Sequence, residues 1–332
     1  MLSIYEFTPV HAGIGGALLG TATLMRMWLT GRILGVSGIA GGLCRGKFME
    51  VSRWAFVGGL VAGGVAMQAL HPAAFSVTQM APWRQVAGGL LVGFGAGLGN
   101  GCTSGHGISG NARLSPRSMA YTLTFMAAGF TAASLLHSAT AVTAKHDPLP
   151  PVDDMVSLAA RLLVAHLAAY AAVALLTASK AVPINLAGHT LSFLDGTLFA
   201  CGLGLSGMTS AARVAQFLDV SAGTWNPTLM FVMAGGLGVF APFMLALVLP
   251  GVLRKPVLAP KFDLPTNKVI DTQLLAAGVL FGAGWGIGGM CPGPALVNVA
   301  SPYGAPLLYL APMFAGLAGS DLKFVKKLVG GK

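Results

Sequence analysis

The sequence predicts an all-α polytopic membrane protein, with about nine transmembrane helices plus short re-entrant helices in a pseudo-twofold inverted repeat. Three observations carry that expectation. The first is composition: of 332 residues, 55% are hydrophobic and only 9% charged, and the mean hydropathy is +0.74. A soluble domain carries roughly 25% charged residues. So few charges cannot clothe a soluble surface of this size, so lipid has to be the solvent for much of it. The second is a series of apolar stretches near the spanning length of ~20 residues. The third is a matched pair of glycine-rich segments, one in each half, each carrying a cysteine between apolar stretches.

In chain order the apolar stretches run at about 11–30, 54–71, 85–101, 118–139 and 158–179, then 190–206, 226–250, 272–288 and 303–320. Four segments between them are too polar or too broken to span: Gly35–Cys44, Thr103–Leu114, Met208–Leu218 and Pro292–Val299. These are expected to form short helices or re-entrant pieces. The 47 glycines suit closely packed membrane helices, where small residues let backbones meet.

The glycine-rich pair reads Gly95–Gly107, around Cys102, and Gly282–Pro294, around Cys291. A second pair reads Gly35-Val36-Ser37-Gly38-Ile39 and Gly204-Leu205-Ser206-Gly207-Met208. The order of the two markers is the same in both halves. Ser37 lies 65 residues before Cys102 and Ser206 lies 85 before Cys291, the longer basic connection Leu253–Asp271 accounting for most of the excess. Four expected spans precede the fifth and four follow it, so the odd central span reverses the second set against the first. The organisation expected is a first transmembrane repeat at 1–157, a linker helix at 158–180 and a second, inverted repeat at 181–332. Paired breaks of this kind point to a transport site at the repeat interface.

Charge supports this topology. With the N-terminus outside, the odd-numbered loops and the C-terminus hold fifteen Lys and Arg: Arg32, Arg45, Lys47, Arg53, Arg113, Arg117, Lys180, Arg254, Lys255, Lys261, Lys268, Lys323, Lys326, Lys327 and Lys332. The even-numbered loops hold four, Arg84, Lys145, Arg161 and Arg213. That is a strong positive-inside bias. It places the C-terminus in the cytoplasm and the protein in the cytoplasmic (inner) membrane. The acidic loop with Asp147, Asp153 and Asp154 falls outside and carries little topological weight. Met1 to Thr8 shows no basic n-region or small-residue cleavage site, so no cleaved signal peptide is expected.

The net charge of +10 also raises nucleic acid as a partner. The cations lie in short clusters between apolar stretches, without zinc-finger spacing or aromatic interleaving, so a nucleic-acid function is excluded. The four cysteines are too few for a disulfide scaffold and form no CxxC pair. His71, His137, His146, His166 and His189 show no clean metal-ligand spacing, and the glycine motifs lack a nucleotide-binding context. No enzyme activity, cofactor or metal is expected.

At the paired motifs the sequence resembles the YeeE/YedE family of membrane proteins, over nearly the whole chain. Gly31-Arg32-Ile33-Leu34-Gly35-Val36-Ser37-Gly38-Ile39 is similar to the family's first-half opening. Gly99-Asn100-Gly101-Cys102-Thr103-Ser104-Gly105-His106-Gly107 is its most specific signature. Phe193-Leu194-Asp195-Gly196, followed by Gly202–Met208, resembles the second-half opening. The chain looks like a fusion of two halves that elsewhere can be separate small proteins. The resemblance implies an hourglass of inverted halves, with short helices entering from both faces and cysteines at a narrow waist. It implies thiosulfate uptake, with Cys102 and Cys291 as the waist cysteines. Thiosulfate importers carry a further cysteine in a first-half Gly-Arg-x-Cys element, where this chain has Leu34. Sulfide or another reduced sulfur species is the alternative solute, and membrane persulfide transfer is the alternative chemistry.

Cys102 and Cys291 are therefore the leading site residues. A thiol is a weak donor and a weak acceptor, which suits a conduit that must let the solute leave again. Thr103, Ser104 and His106 can donate to an anion at a break after Cys102. Asn100 and Asn298 are candidates for orienting these segments or touching the solute. Ser37 and Ser206 are candidates for capping short helices or donating to an anion, and Arg32 for drawing anions to the inner mouth. Cys44 and Cys201 are secondary candidates. Membrane lipid and a cytoplasmic sulfur-accepting protein complete the expected partners. The topology yields the first test: impermeant labels should reach Met1 and Asp153 from outside and Lys332 from the cytoplasm. Met1 and Lys332 labelled from one face would reject the nine-span arrangement.

Overall fold

The computed structural model describes residues 6–145, 149–301 and 307–321. Met1, Asp147 and the C-terminal cluster Lys323, Lys326, Lys327 and Lys332 lie outside them. In chain order the helices are α1 (Pro9–Thr30), α2 (Val36–Cys44), α3 (Val51–Leu70), α4 (Pro82–Leu98), α5 (Pro116–Leu135), the single turn α6 (Ser138–Ala141) and α7 (Val152–Ala178). There follow α8 (Ile184–Leu205), α9 (Ala211–Leu218), α10 (Met230–Phe243), α11 (Thr272–Gly288), α12 (Pro292–Val297) and α13 (Leu307–Gly319). A wide π-helical segment, Thr103–Gly110, follows α4. The protein is all-α and membrane-like. By length and composition α3, α7 and the run Pro227–Val248 can each cross a bilayer, and two bent helix pairs bring the total to five.

Local chemistry sets the helix ends. Proline opens α1, α4 and α5, where its missing N–H is of no consequence. Ser115, Ser210 and Asp271 cap α5, α9 and α11 by accepting from backbone N–H groups. Pro242 lies inside α10, and the chain continues as a π-helical turn, Met244–Val248.

Four long helices stop inside the structure and hand over to a short one: α1 to α2, α4 to Thr103–Gly110, α8 to α9, and α11 to α12. Each break holds a residue in the left-handed region: Gly31 (φ 71°), Asn100 (φ 55°), Gly207 (φ 75°) and Gly289 (φ 63°). Gly289 is required twice over, since a Cβ there would also meet the Ala211 carbonyl at 2.5 Å. α4 and Thr103–Arg113 meet at 46°, and α11 and Pro292–Ala300 at 47°.

The packing has a regular pattern. α3 packs on α8 and α10 on α1; α4 packs on α13 and α11 on α5; α4 meets α11 and α1 meets α8 between the halves. Exchanging α1, α3, α4 and α5 with α8, α10, α11 and α13 maps α3–α8 onto α10–α1 and α4–α13 onto α11–α5, and leaves α4–α11 and α1–α8 unchanged. The contacts are backbone-close. A Cβ at Gly59 of α3 would run into the Phe193 carbonyl, and one at Gly196 of α8 into the Phe56 carbonyl. α7 lies against α8 and α1 and leaves most of its surface outside the packed core.

The connections sort into two faces. On one, residues 256–271 lie against the α1–α2 loop and the start of α5: Val257 N donates to Trp28 O, the backbones of Arg32 and Asp263 form an isolated parallel bridge, and Arg113 and Arg117 donate to Pro265 O and Val269 O. On the other, the strands β1 (Val77–Gln79) and β2 (Thr143–Lys145) form an antiparallel ribbon with Val77 opposite Lys145. The all-α expectation contained no strands. They arise because two loops of one face lie side by side and pair their free backbone groups. Thr209 Oγ1 donates to Ala74 O, and the Asp219 carboxylate accepts from Ala139 N, on this same face.

Candidate functional site

The two cysteine breaks are built alike. Cys102 and Cys291 each occupy the extended residue that precedes a short helix (φ −134° and −117°). The carbonyl just before each cysteine would be left open by the break. Tyr121 of α5 donates its hydroxyl to Gly101 O at 3.3 Å and to Gly95 O at 3.0 Å. Tyr309 of α13 donates to Met290 O. Both tyrosines are fully buried. Sequence reasoning missed them, although they stand 19 residues after Cys102 and 18 after Cys291, and aligning the two halves would have found them.

The structure brings Cys102 and Cys291 into the wall of one cavity of about 290 Å3. Thr103 Oγ1 donates to Cys291 Sγ at 3.6 Å, so the first-half break touches the second-half cysteine directly. Cys102 Sγ lies 3.3 Å from Ser104 Oγ. Apart from Thr122, the rest of the lining is apolar or soft, including Phe125, Phe199, Phe217 and Trp285, with Met126, Met208, Met230 and Met233. None of the lining residues is charged. The methionines bring polarizable sulfur, and nothing in the sequence pattern distinguished them from ordinary core residues. Trp285 Nε1 is buried without a partner among the described residues.

A second cavity, of about 670 Å3, is polar and basic. Arg26, Arg32, Lys47, Arg53, Arg113 and Arg117 line it, with Glu50 and Asp263 as its acidic residues. Hydrogen bonding from Arg53, at 2.6 Å, holds the Glu50 carboxyl below the usual carboxylate range. Asn100 and His106 also line this vestibule.

The two cavities adjoin across a thin septum. Gly35 and Val36 are neighbours in sequence, yet Gly35 lines the vestibule and Val36 the cysteine cavity. The same holds for Gly101 and Cys102, and for Gly105 and Ser104. Ser104 Oγ accepts from Val36 N at 3.1 Å, tying the start of α2 to the cysteine break. A Cβ at Gly35 would sit 3.5 Å from the Gly105 Cα, so the two backbones close the septum.

The other sequence candidates fall in different places. His106 is saturated: its ring nitrogens lie 3.0 Å from Ser118 Oγ and 3.0 Å from Gly99 O, and its ring packs against Tyr121 at 4.4 Å between centroids, tilted by 39°. It braces the break. Asn298 donates to Thr209 O at 2.8 Å and lines neither cavity. The two serine motifs, matched in sequence, do not occupy matching positions. Ser37 lies in the first turn of α2, with its buried Oγ unpartnered among the described residues, whereas Ser206 follows the end of α8 and donates to Leu203 O. The capping serine of the second half is Ser210. Cys44, half-buried at the end of α2, donates to Ala40 O, and Cys201 is buried within α8; neither lines either of these two cavities. Leu34 is buried, and its carbonyl accepts from Ser109 Oγ at 2.9 Å. Among the described residues no group of His, Cys, Asp and Glu could hold a metal ion.

Residues 5–132 match a family described as "Sulphur transport", and residues 189–328 match a family of unknown function, DUF6691. The stretch between the matches holds α7. A "Probable transporter" of Xylella fastidiosa strain Temecula1 is 41% identical over 139 residues, 42% of this chain and 92% of that protein. A second protein of that name and strain is 44% identical over 124 residues, 37% of this chain and 91% of its own length. No solved structure matches.

The geometry separates the four cysteines. Cys102→Ser and Cys291→Ser each replace soft sulfur with a hydroxyl at similar size. Weak contacts of ~0.5–1.5 kcal/mol imply that either change lowers sulfur-solute flux about two- to tenfold in vesicles, at normal membrane abundance. Cys44→Ser and Cys201→Ser should leave flux near wild type. Equal flux from all four variants would remove the case for the central pair.

Proposed function

Because the chain belongs to the YeeE/YedE family of sulphur-transport membrane proteins, we propose that it takes up a small inorganic sulfur compound, thiosulfate first, along a path through the vestibule and the cysteine cavity. The observation that carries this reading is the convergence of Cys102 and Cys291, from breaks in opposite halves, on one uncharged cavity beside a basic one. Arginines of the vestibule raise the local concentration of an anion. The cavity then selects on softness, because its wall offers thiols, thioethers and aromatic rings in place of charge. A polarizable terminal sulfur gains there, whereas sulfate, with oxygen on every face, does not. Weak contacts allow release. The septum at Val36 and Ser104 is the point that has to open.

The exchange of packing partners between the halves supports an inverted repeat with nine crossings and a pseudo-twofold axis in the membrane plane. The sorting of loops onto two faces supports the charge-based orientation: vestibule and basic loops in the cytoplasm, ribbon outside, in the inner membrane. An inside-negative potential opposes a dianion by about 4.6 kcal/mol per 100 mV, taking ~2.3 per charge. Consumption of the solute inside, by a sulfur-accepting protein at the cytoplasmic face, would offset that opposition.

The uncharged cavity also favours a second reading, the passage of sulfide, because a neutral or singly charged species loses less hydration there than a dianion. Competition for labelled thiosulfate uptake in vesicles, with thiosulfate, sulfate, sulfite and sulfide as competitors, separates the two. Thiosulfate should compete well and sulfate poorly, and Leu34→Cys should widen the difference. Absent thiosulfate uptake with robust sulfide flux would select the second reading. Absent flux of every sulfur solute, from folded protein, would reject both.

A further inference from the structure

The buried ion pair between α1 and α8 plays no part in the cysteine path. Arg26 Nη1 donates to Asp195 at 3.0 Å, and Tyr170 of α7 donates its hydroxyl to the other carboxylate oxygen at 3.0 Å. Asp195 is fully buried, and Arg26 is 6% exposed. Arg26 also lies over the Phe56 ring at 5.6 Å, and its Nε has no partner among the described residues. Arg26, Arg32 and Ser52 each line both the basic vestibule and a neighbouring polar cavity of about 330 Å3. A guanidinium only partly satisfied by its carboxylate therefore stands at the wall of two polar cavities.

The geometry points to Arg26 as an anion-binding residue of the vestibule whose pairing with Asp195 links anion occupancy to uptake of a proton. The inference rests on the reading of the vestibule as one mouth of the sulfur path. Breaking a buried pair by removing one partner leaves an uncompensated charge, which a protein avoids strongly. An oxyanion that draws the guanidinium away does just that to Asp195. The carboxylate then takes one proton from vestibule water and becomes a neutral acid, so one proton enters the protein per anion held. Tyr170 continues to donate to the acid's carbonyl oxygen. The site recognises the oxyanion class, sulfate as well as thiosulfate, and leaves discrimination to the cysteine cavity.

Among the described residues, the other ionisable groups on the elements around Asp195 make no hydrogen bond or ion pair with its carboxylate. α3, which packs closely on α8, has Arg53 as its single charged residue, at the vestibule, and meets Asp195's turn with Phe56, Gly59 and Leu60. α12 carries no titratable group. α1 brings Arg26, with His11 near its opposite end, held close to Pro150 O. On α7, Tyr170 faces Asp195, while His166 lies 3.0 Å from Thr197 Oγ1, and Asp153, Asp154 and Arg161 belong to its other end. On α8 itself, His189 lines the neighbouring polar cavity and Cys201 lies beyond Asp195 toward the far end.

The test is calorimetric titration of the full-length protein in lipid nanodiscs with sodium sulfate and, separately, sodium thiosulfate. Two buffers of different protonation enthalpy report protons taken up. Wild type should take up about one proton per anion between the pH where Asp195 ionises in the free protein and the higher pH where it ionises with the anion bound, with affinity falling about tenfold per pH unit in that window. Asp195→Asn should bind without proton uptake or pH dependence. Tyr170→Phe removes a donor to the carboxylate and should move the pH profile upward, a readout that survives if the Asn variant does not fold. No anion binding, no proton uptake by wild type, unchanged uptake in folded Asp195→Asn, or an unmoved profile in Tyr170→Phe would each overturn the linkage. Thiosulfate flux in vesicles without anion-linked uptake would defeat this inference alone. Linked sulfate and thiosulfate binding without flux would defeat the transport reading and keep the Arg26 site.

Discussion

A helix broken inside an apolar layer exposes backbone N–H and C=O groups that water cannot satisfy. Much of this structure answers that constraint. Four long helices stop short, and side chains close the opened groups: Tyr121 and Tyr309 on the carbonyls before the cysteines, Ser104 on Val36 N, Ser109 on Leu34 O, and Asn298 on Thr209 O. Each partner comes from a different element than the group it satisfies. Each break is thus held by its surroundings.

Those breaks frame the two cavities through which the proposed path runs. The breaks turn the chain aside at Cys102 and Cys291, leaving a small soft-walled cavity backed by a charged vestibule. The same backbone bends separate the two spaces, since neighbouring residues face opposite sides of the septum. Attraction and selection are thereby split. On the proposed path, arginines gather anions without regard to their chemistry, and the sulfur-rich cavity discriminates without charge.

Much of the helical layout was legible because its signals are strong and local. Runs of apolar residues bounded by Gly, Pro and charge marked the long helices, and all four short segments fell where glycine and polar residues interrupt those runs. Cys102 and Cys291 were legible because their glycine context repeats. The serine motifs misled for a definable reason. Gly-x-Ser-Gly is too short to fix a register, and in the second half it spans the end of α8 and the break, whereas in the first half it opens α2. His106 read as a donor to solute, but Ser118 and Gly99, brought together by the turn, already saturate it. The methionine lining, the septum and the Arg26–Asp195–Tyr170 pairing depend on contacts between distant segments, which periodicity does not encode.

The central claim is that solute passes the two cysteines from opposite halves. It is tested most directly by alkylating Cys102 or Cys291 in variants that keep one cysteine each, reconstituted in vesicles, with a small thiol reagent and with or without saturating thiosulfate. The account predicts that thiosulfate slows modification of both and that sulfate at equal ionic strength does not, while a variant keeping only Cys44 is indifferent to either. Equal modification rates at Cys102 and Cys291, with and without thiosulfate under conditions of active uptake, would contradict it.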